Sequence, residues 1–197
     1  KPSQTLERLY LQPLWRRVQT NEGRVLDTDR PFTLLIDIKR DGEEVYPVLK
    51  AQLSKYRTML CGFEQGEWIT RPVQVVLSGD RPRRLVALDP DRLVGIDGRL
   101  SDLNSMSPPH LLPLISDRWP THFRWRGDGP FPEDERRRLQ QIVAQAHRGG
   151  RRVRFWATPE TPAVWDALLE AGVDHINTDR LTSFRDFMQA HSNQAPQ

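Results

Sequence analysis

The chain of 197 residues has a single cysteine, Cys61. An internal disulfide framework and a multi-cysteine metal site are therefore excluded, while the compartment stays open. No apolar run approaches the roughly 18 residues that a membrane-spanning helix requires. The five histidines (His110, His122, His147, His175 and His191) show no HExxH or other ligand spacing, so no zinc site is expected. Ser116 lacks a Gly-x-Ser-x-Gly elbow and Cys61 has no histidine nearby, which leaves nucleophilic triads without support. Collagen, coiled-coil and solenoid repeats are also missing. Lysine is scarce, with Lys1, Lys39, Lys50 and Lys55 standing out, and arginine carries most of the positive charge. Acidic residues are interleaved with it nearly everywhere, and a net charge of +3 makes no nucleic-acid footprint. The run Arg136, Arg137 and Arg138 reads as the solvated face of a helix. No leader-like apolar stretch opens the chain, and Lys1 in place of Met reads as a trimmed N-terminus.

What is present is an ordinary globular composition, 37% hydrophobic and 28% charged, with six Trp, seven Phe and three Tyr. That is enough apolar material for one core over residues 1–191, with a disordered tail over 192–197. The clearest strand is Phe32 to Lys39, opened by Pro31 and closed by Asp41-Gly42. Helical spacing follows over Glu43 to Arg57, with Asp41 as its cap. After a loop around Gly62 and Gly66, further strands are predicted at Val73 to Leu77, Leu93 to Asp97 and Leu111 to Ile115. Proline and negative charge at Pro132 to Glu135 open a helix that Gly149-Gly150 ends. Then come a strand at Val153 to Ala157, a helix from Thr161-Pro162 through Leu169, a strand at Asp174 to Thr178, and a helix at Thr182 to His191.

Strands separated by helices imply parallel pairing with right-handed crossovers, hence an α/β fold. A complete (β/α)₈ barrel takes about 250 residues, so six of its eight units would take roughly 190. The expected architecture is a TIM-barrel-like fold lacking about the first two β/α units. A flavodoxin-like open sheet fits the strand count as well, but the Gly-rich phosphate loop of its first turn has no counterpart.

In both architectures the site lies at the C-terminal ends of the strands. Asp37 and Lys39 are two apart in a strand, so their side chains share one face. The carboxylate is a hard oxygen ligand for Ca²⁺ or Mg²⁺, and the ammonium can neutralise charge developing on a phosphoryl oxygen. The alternative is a structural ion pair filling a barrel layer, and the cost of desolvating a pair without a use favours the chemical reading. Arg154 and Trp156 alternate in the same way and would suit an anionic ligand with an apolar or sugar-like part, or else fill the core. Ser78, Asp80, Asp97, Arg99, Ser116, Asp117, Trp119, Asn177 and Asp179 also fall at strand ends. Structural roles are the default there: Asp97 as a turn residue before Gly98, Asp117 paired with Arg118, and Asp179 capping the last helix.

The segment Leu34-Leu35-Ile36-Asp37-Ile38-Lys39 resembles the third-strand motif of the PLC-like phosphodiesterases, in which glycerophosphodiester phosphodiesterases carry an acidic metal ligand two residues before a lysine. Here the acid is Asp instead of the commoner Glu. Val153 to Thr158 is similar to that superfamily's seventh strand with its tryptophan, and Gly172 to Asp179 to its last strand. With Pro113 to Trp119, the pattern is closest to the branch named after altered inheritance of mitochondria protein 6. The resemblance implies a metal-assisted hydrolase of glycerophosphodiesters or phosphoinositides, using Ca²⁺ or Mg²⁺. It assigns Asp37 as metal ligand, Lys39 as the catalytic cation, and Arg154, Trp156 and Arg99 as substrate contacts. It also implies bacterial, often exported relatives. The family's acid/base histidine pair and two further carboxylates belong on strands that precede Phe32, so the chain alone is expected to be inactive. His147-Arg148-Gly149 spells the family's first catalytic triplet but falls at a helix end, where a catalytic role is not expected. The competing expectation is a non-catalytic barrel remnant that binds an anionic ligand or a protein. The oligomeric state is left open.

Overall fold

A computed structural model describes residues 4–194, and the fold is α/β with parallel strands. The chain forms two compact units: Lys1–Asp97 with His110–Pro113, and Gly98–Pro109 with Leu114–Gln197.

In the first unit, β1 (Phe32–Ile38), β4 (Val73–Gly79) and β5 (Val94–Gly98) lie side by side and parallel, in chain order. Period-two alternation decides which way each residue faces. Leu34 and Ile38 of β1, Val75 and Leu77 of β4, and Val94 and Ile96 of β5 pack into one core with Tyr46, Leu49 and Leu53 of α2 (Gly42–Ser54). Each such side chain removed from water contributes about 1.5–3 kcal/mol, which fixes the strand faces firmly. Before β1 comes α1 (Gln12–Thr20), entered through a wide turn at Glu7–Leu11. Pro13 lacks the N–H that would close an ordinary helical turn there.

Three local features differ from the sequence-based expectation. Asp41 adopts a left-handed conformation (φ 56°) and its side chain does not cap α2; the Asp80 carboxylate accepts from the Gly42 N–H instead, at 3.0 Å. The expected loop near Gly62 and Gly66 is a hairpin, β2 (Gly62–Glu64) with β3 (Glu67–Ile69). Its two turn residues, Gln65 and Gly66, both have positive φ, the mirror-image turn that matches strand twist. A short helix, α3 (Arg83–Leu88), buries only Val86 and left no apolar period to read.

In the second unit, β6 (Leu114–Arg118), which runs into the short helix α4 (Trp119–His122), β7 (Arg152–Trp156) and β8 (His175–Ile176) are again parallel and in chain order. Ile115, Val153 and Phe155 pack against Leu139, Ile142, Val143 and Ala146 of α5 (Glu133–Arg148) and Val164 and Leu168 of α6 (Pro162–Glu170). Thr161 caps α6 through its hydroxyl, as its position before Pro162 suggests. β6 starts at Leu114, three residues later than expected, because Pro113 has no N–H for a ladder. β8 is two residues long instead of five. The Glu160 carboxylate takes the Thr178 hydroxyl at 2.6 Å and the Asp179 N–H, so the backbone leaves the ladder, and the last helix starts at Leu181, which puts Arg180 and not Asp179 at its N-cap position. That helix, α7 (Leu181–Gln194), passes beyond His191; of the expected tail, residues 195–197 lie outside the described residues. Strand order equal to chain order within each unit is the singly wound arrangement of a barrel, whereas a doubly wound sheet reverses direction at a switch point.

Gly42 is held so close that an added Cβ would lie 2.1 Å from the Asp80 carbonyl oxygen, while Gly66 (φ +88°) has nothing within 4 Å. Gly42→Ala is expected to cost about 2–3 kcal/mol through overpacking, and Gly66→Ala about 1 kcal/mol through φ strain alone. Urea unfolding of the two variants measures both.

Candidate functional site

The faces that the helices leave uncovered carry the polar residues. In the first unit the register pairs Thr33 with Gln74, Leu35 with Val76 and Asp37 with Ser78, and pairs Val76 with Gly95 and Leu77 with Ile96. One step further along β4 and β5 brings Ser78 beside Asp97, and their side chains meet: the Ser78 hydroxyl donates to the Asp97 carboxylate at 2.6 Å. Asp37, Ser78 and Asp97 thus stand at one level, at the C-terminal ends of three neighbouring strands.

Lys39, one residue past β1, donates its ammonium to the Asp37 carboxylate. The two groups share a face as the spacing predicts, but the Lys39 and Asp37 side chains are 82% and 47% exposed. A solvent-screened pair of this kind contributes little to stability, so the desolvation argument for its function does not hold. Its place is set by the neighbouring loop instead. An added Cβ on Gly79 (φ +73°) would lie 2.2 Å from Asp37 Oδ1, so the carboxylate leans over the end of β4, where only glycine leaves room. The Asp80 N–H donates to the Ile38 carbonyl at 2.7 Å, tying that loop to the end of β1.

Asp97 is the residue whose setting the sequence concealed. Asp97 closes the predicted strand and reads as a turn residue before Gly98, yet it is fully buried as the fourth residue of β5. The signal available was period two: Asp97 follows Gly95 by two residues and Val94 and Ile96 belong to the helix-packed face.

In the second unit the register aligns Ser116 with Arg154 and Arg154 with His175, and aligns Arg118 with Trp156. Arg154 and Trp156 share the face opposite the helix-packed Val153 and Phe155, as their alternation predicts. The Arg154 guanidinium donates to the Asn177 side-chain oxygen, and Arg118 lies 5.9 Å from the Trp156 ring centre. Arg99 stands elsewhere, at the start of a short helical turn, with its guanidinium on the Gly98 carbonyl at 2.9 Å. Asp117 does not pair with the Arg118 side chain; it accepts from the Arg118 N–H at 2.8 Å and lies 3.2 Å from His122. Trp119 is core, its ring N–H on the Trp125 carbonyl at 3.0 Å. His147 lies in the last turn of α5 and meets Asp174 at 2.8 Å, the helix-terminal role expected of that triplet.

Among the described residues no three His, Cys, Asp or Glu side chains converge in a way that could hold a metal ion. Asp37 offers one carboxylate, already engaged by Lys39, whereas Ca²⁺ takes six to eight oxygens and Mg²⁺ about six. These residues do not fit a divalent ion by themselves, and no chemical step below passes through one. Nor is any helix among the described residues long and apolar enough to cross a membrane.

Burial, with the charges of Arg152 and Arg154, pushes the His175 imidazole down to about 4. The neutral ring is therefore the form that the fold favours. Between about pH 4 and the ordinary histidine range near 6.5 the unfolded chain binds more protons than the folded one, so stability rises with pH across that window. NMR titration is expected to show His175 neutral at pH 6, and His175→Gln to flatten the stability slope between pH 4 and 6.5.

Residues 1–94 match the AIM6-like phosphodiesterase domain, and residues 152–182 match the Glycerophosphoryl diester phosphodiesterase family. The chain is 25% identical, over 93% of its length, to Altered inheritance of mitochondria protein 6 homolog of Arthroderma benhamiae, of which it covers 66%. It is also 25% identical, over 95% of its length, to Altered inheritance of mitochondria protein 6 of Eremothecium gossypii, of which it covers 57%. Both relatives are fungal, and the chain spans less than two thirds of either. No solved structure shows significant similarity to it. The first match contains the Asp37–Lys39 pair and the second contains Arg154 and Trp156, and together with the two relatives they support a resemblance to the PLC-like phosphodiesterase superfamily, in the branch of altered inheritance of mitochondria protein 6.

Proposed function

We propose that the chain is part of a phosphoric diester hydrolase of the glycerophosphodiester or phosphoinositide type, with a (β/α)₈ barrel that lacks about its first two β/α units here. Parallel strands in chain order support the barrel, and the carboxylate–ammonium pair at the end of β1 supports the chemistry. Lys39 is the catalytic cation. Its exposed ammonium can stabilise negative charge on a non-bridging phosphoryl oxygen while the oxygen of an attacking water bonds to phosphorus and the P–O bond to the leaving group breaks, its electron pair going to the leaving oxygen. Asp37 orients that ammonium and is proposed as one ligand of Ca²⁺ or Mg²⁺, whose other ligands are not among the described residues. In the second unit, Arg154 and Arg99 are proposed as contacts for an anionic ligand and Trp156 as its apolar wall.

The second reading is a non-catalytic module that binds the same anion. It is favoured by the lack, among the described residues, of a metal-holding cluster. The observation that carries the proposal is the Lys39–Asp37 contact at a strand end inside the matched phosphodiesterase domain.

Phosphorus NMR of glycerophosphocholine and glycerophosphoinositol, titrated with the 197-residue chain, tests the binding step. Lys39→Ala is expected to weaken binding by about tenfold or more, the worth of one hydrogen bond to a charged group. Asp37→Ala is expected to weaken it less. Affinities untouched by both substitutions would remove Lys39 from the site. Appearance of a phosphomonoester signal with a polypeptide extended upstream to its relatives' length separates the hydrolase from the binding module.

A further inference from the structure

Asp97 is a fully buried carboxylate at the level of Asp37, and nothing in the proposed reaction uses it. Keeping a carboxylate out of water costs several kcal/mol unless hydrogen bonds replace the lost hydration. The Ser78 hydroxyl supplies one of them at 2.6 Å. A serine hydroxyl has a single proton and two lone pairs. With its proton committed to Asp97, Ser78 can only accept from any other neighbour.

The direction of that acceptor follows from register. Ser78 stands between its two neighbours, Asp97 on β5 and Asp37 on β1. Asp37 leans toward β4, its Oδ1 over Gly79, the residue next to Ser78. Ser78 keeps 8% of its surface exposed and Asp97 none. Of this pair the serine is the one that can touch a ligand, and Asp97, whose carbonyl also accepts from the Arg81 guanidinium, acts on that serine through its carboxylate.

We propose that Asp97 is a positioning residue: it locks the Ser78 hydroxyl as an acceptor beside the Asp37–Lys39 pair, where Ser78 takes a hydrogen bond from a hydroxyl donor on the ligand. The inference rests on the reading of Lys39 as the phosphate contact and adds to it the residues that sense the donor next to the phosphate. Asp97→Asn preserves size and removes the charge. Its carboxamide N–H₂ can donate to Ser78, which frees the serine proton and reverses the hydroxyl's polarity.

The test compares two phosphodiesters by phosphorus NMR titration of the 197-residue chain: glycerophosphocholine, with free hydroxyls near the phosphate, and dimethyl phosphate, with none. Ser78→Ala is expected to lose about fivefold in affinity for glycerophosphocholine and nothing for dimethyl phosphate, the worth of one hydrogen bond. Asp97→Asn should show the same selective loss, the double variant should lose no more than either single one, and Ser78→Thr should recover the affinity. Thermal melts of all four variants keep folding separate from binding. Equal losses for the two ligands, or no loss in Ser78→Ala, overturn the positioning role while the phosphate contact stands. Failure of the unsubstituted chain to bind either diester, or binding that survives Lys39→Ala, overturns the phosphate contact and this inference with it.

Discussion

The register of three parallel strands is the constraint on which the first unit's candidate site depends. Because side chains alternate with a period of two, a slip of one residue between β1 and β4 would turn Asp37 or Ser78 into the helix-packed core. The register is held by apolar burial on the other face, where Leu34, Ile38, Val75, Leu77, Val94 and Ile96 meet α2. The polar row is therefore a by-product of where the leucines and valines must go. Few of its own contacts hold it, and the Asp37–Lys39 pair in particular is too exposed to hold anything.

That division of labour explains how an acidic and a basic group can stand ready at a strand end. Geometry is supplied from behind by the core and from the side by Gly79 and Asp80, which confine the Asp37 carboxylate and the end of β1 through backbone contacts. The ammonium of Lys39 remains in water, so exchanging its carboxylate partner for another anion costs little. A buried pair would have to break a strong interaction to do the same. Exposure, which removes the case for a structural ion pair filling a layer, is compatible with ligand exchange.

The second unit repeats the scheme with different side chains. Val153 and Phe155 are buried against α5 and α6, while Arg154 and Trp156 face the other way. Here the polar face is cationic and aromatic, and His175 is held neutral beside Arg154 by desolvation and like charge. The matches to phosphodiesterase families fall on both units, residues 1–94 and 152–182, so the resemblance is carried by the strands whose ends hold the polar groups.

The sequence by itself determined the elements whose signals are local. Phe32 to Ile38 is apolar and β-branched between Pro31 and Gly42, α5 starts on Pro132 with three acids and stops at Gly149, and Thr161-Pro162 opens α6. The shared face of Asp37 with Lys39, and of Arg154 with Trp156, follows from alternation alone. Tertiary structure decided whatever required a partner distant in the chain. Asp80 and not Asp41 serves the start of α2, Glu160 ends β8 early, and Lys50 and Tyr46 both reach Asp89, about forty residues away, at 2.7 Å. Burial of Asp97 belongs to the same class: its Gly98 neighbour signals a turn at the end of the strand, and only pairing with β4 draws its side chain into the interior and onto Ser78. Local conformational preference is written residue by residue, whereas burial and hydrogen-bond partners depend on which strands lie side by side, and that is settled by the whole core at once.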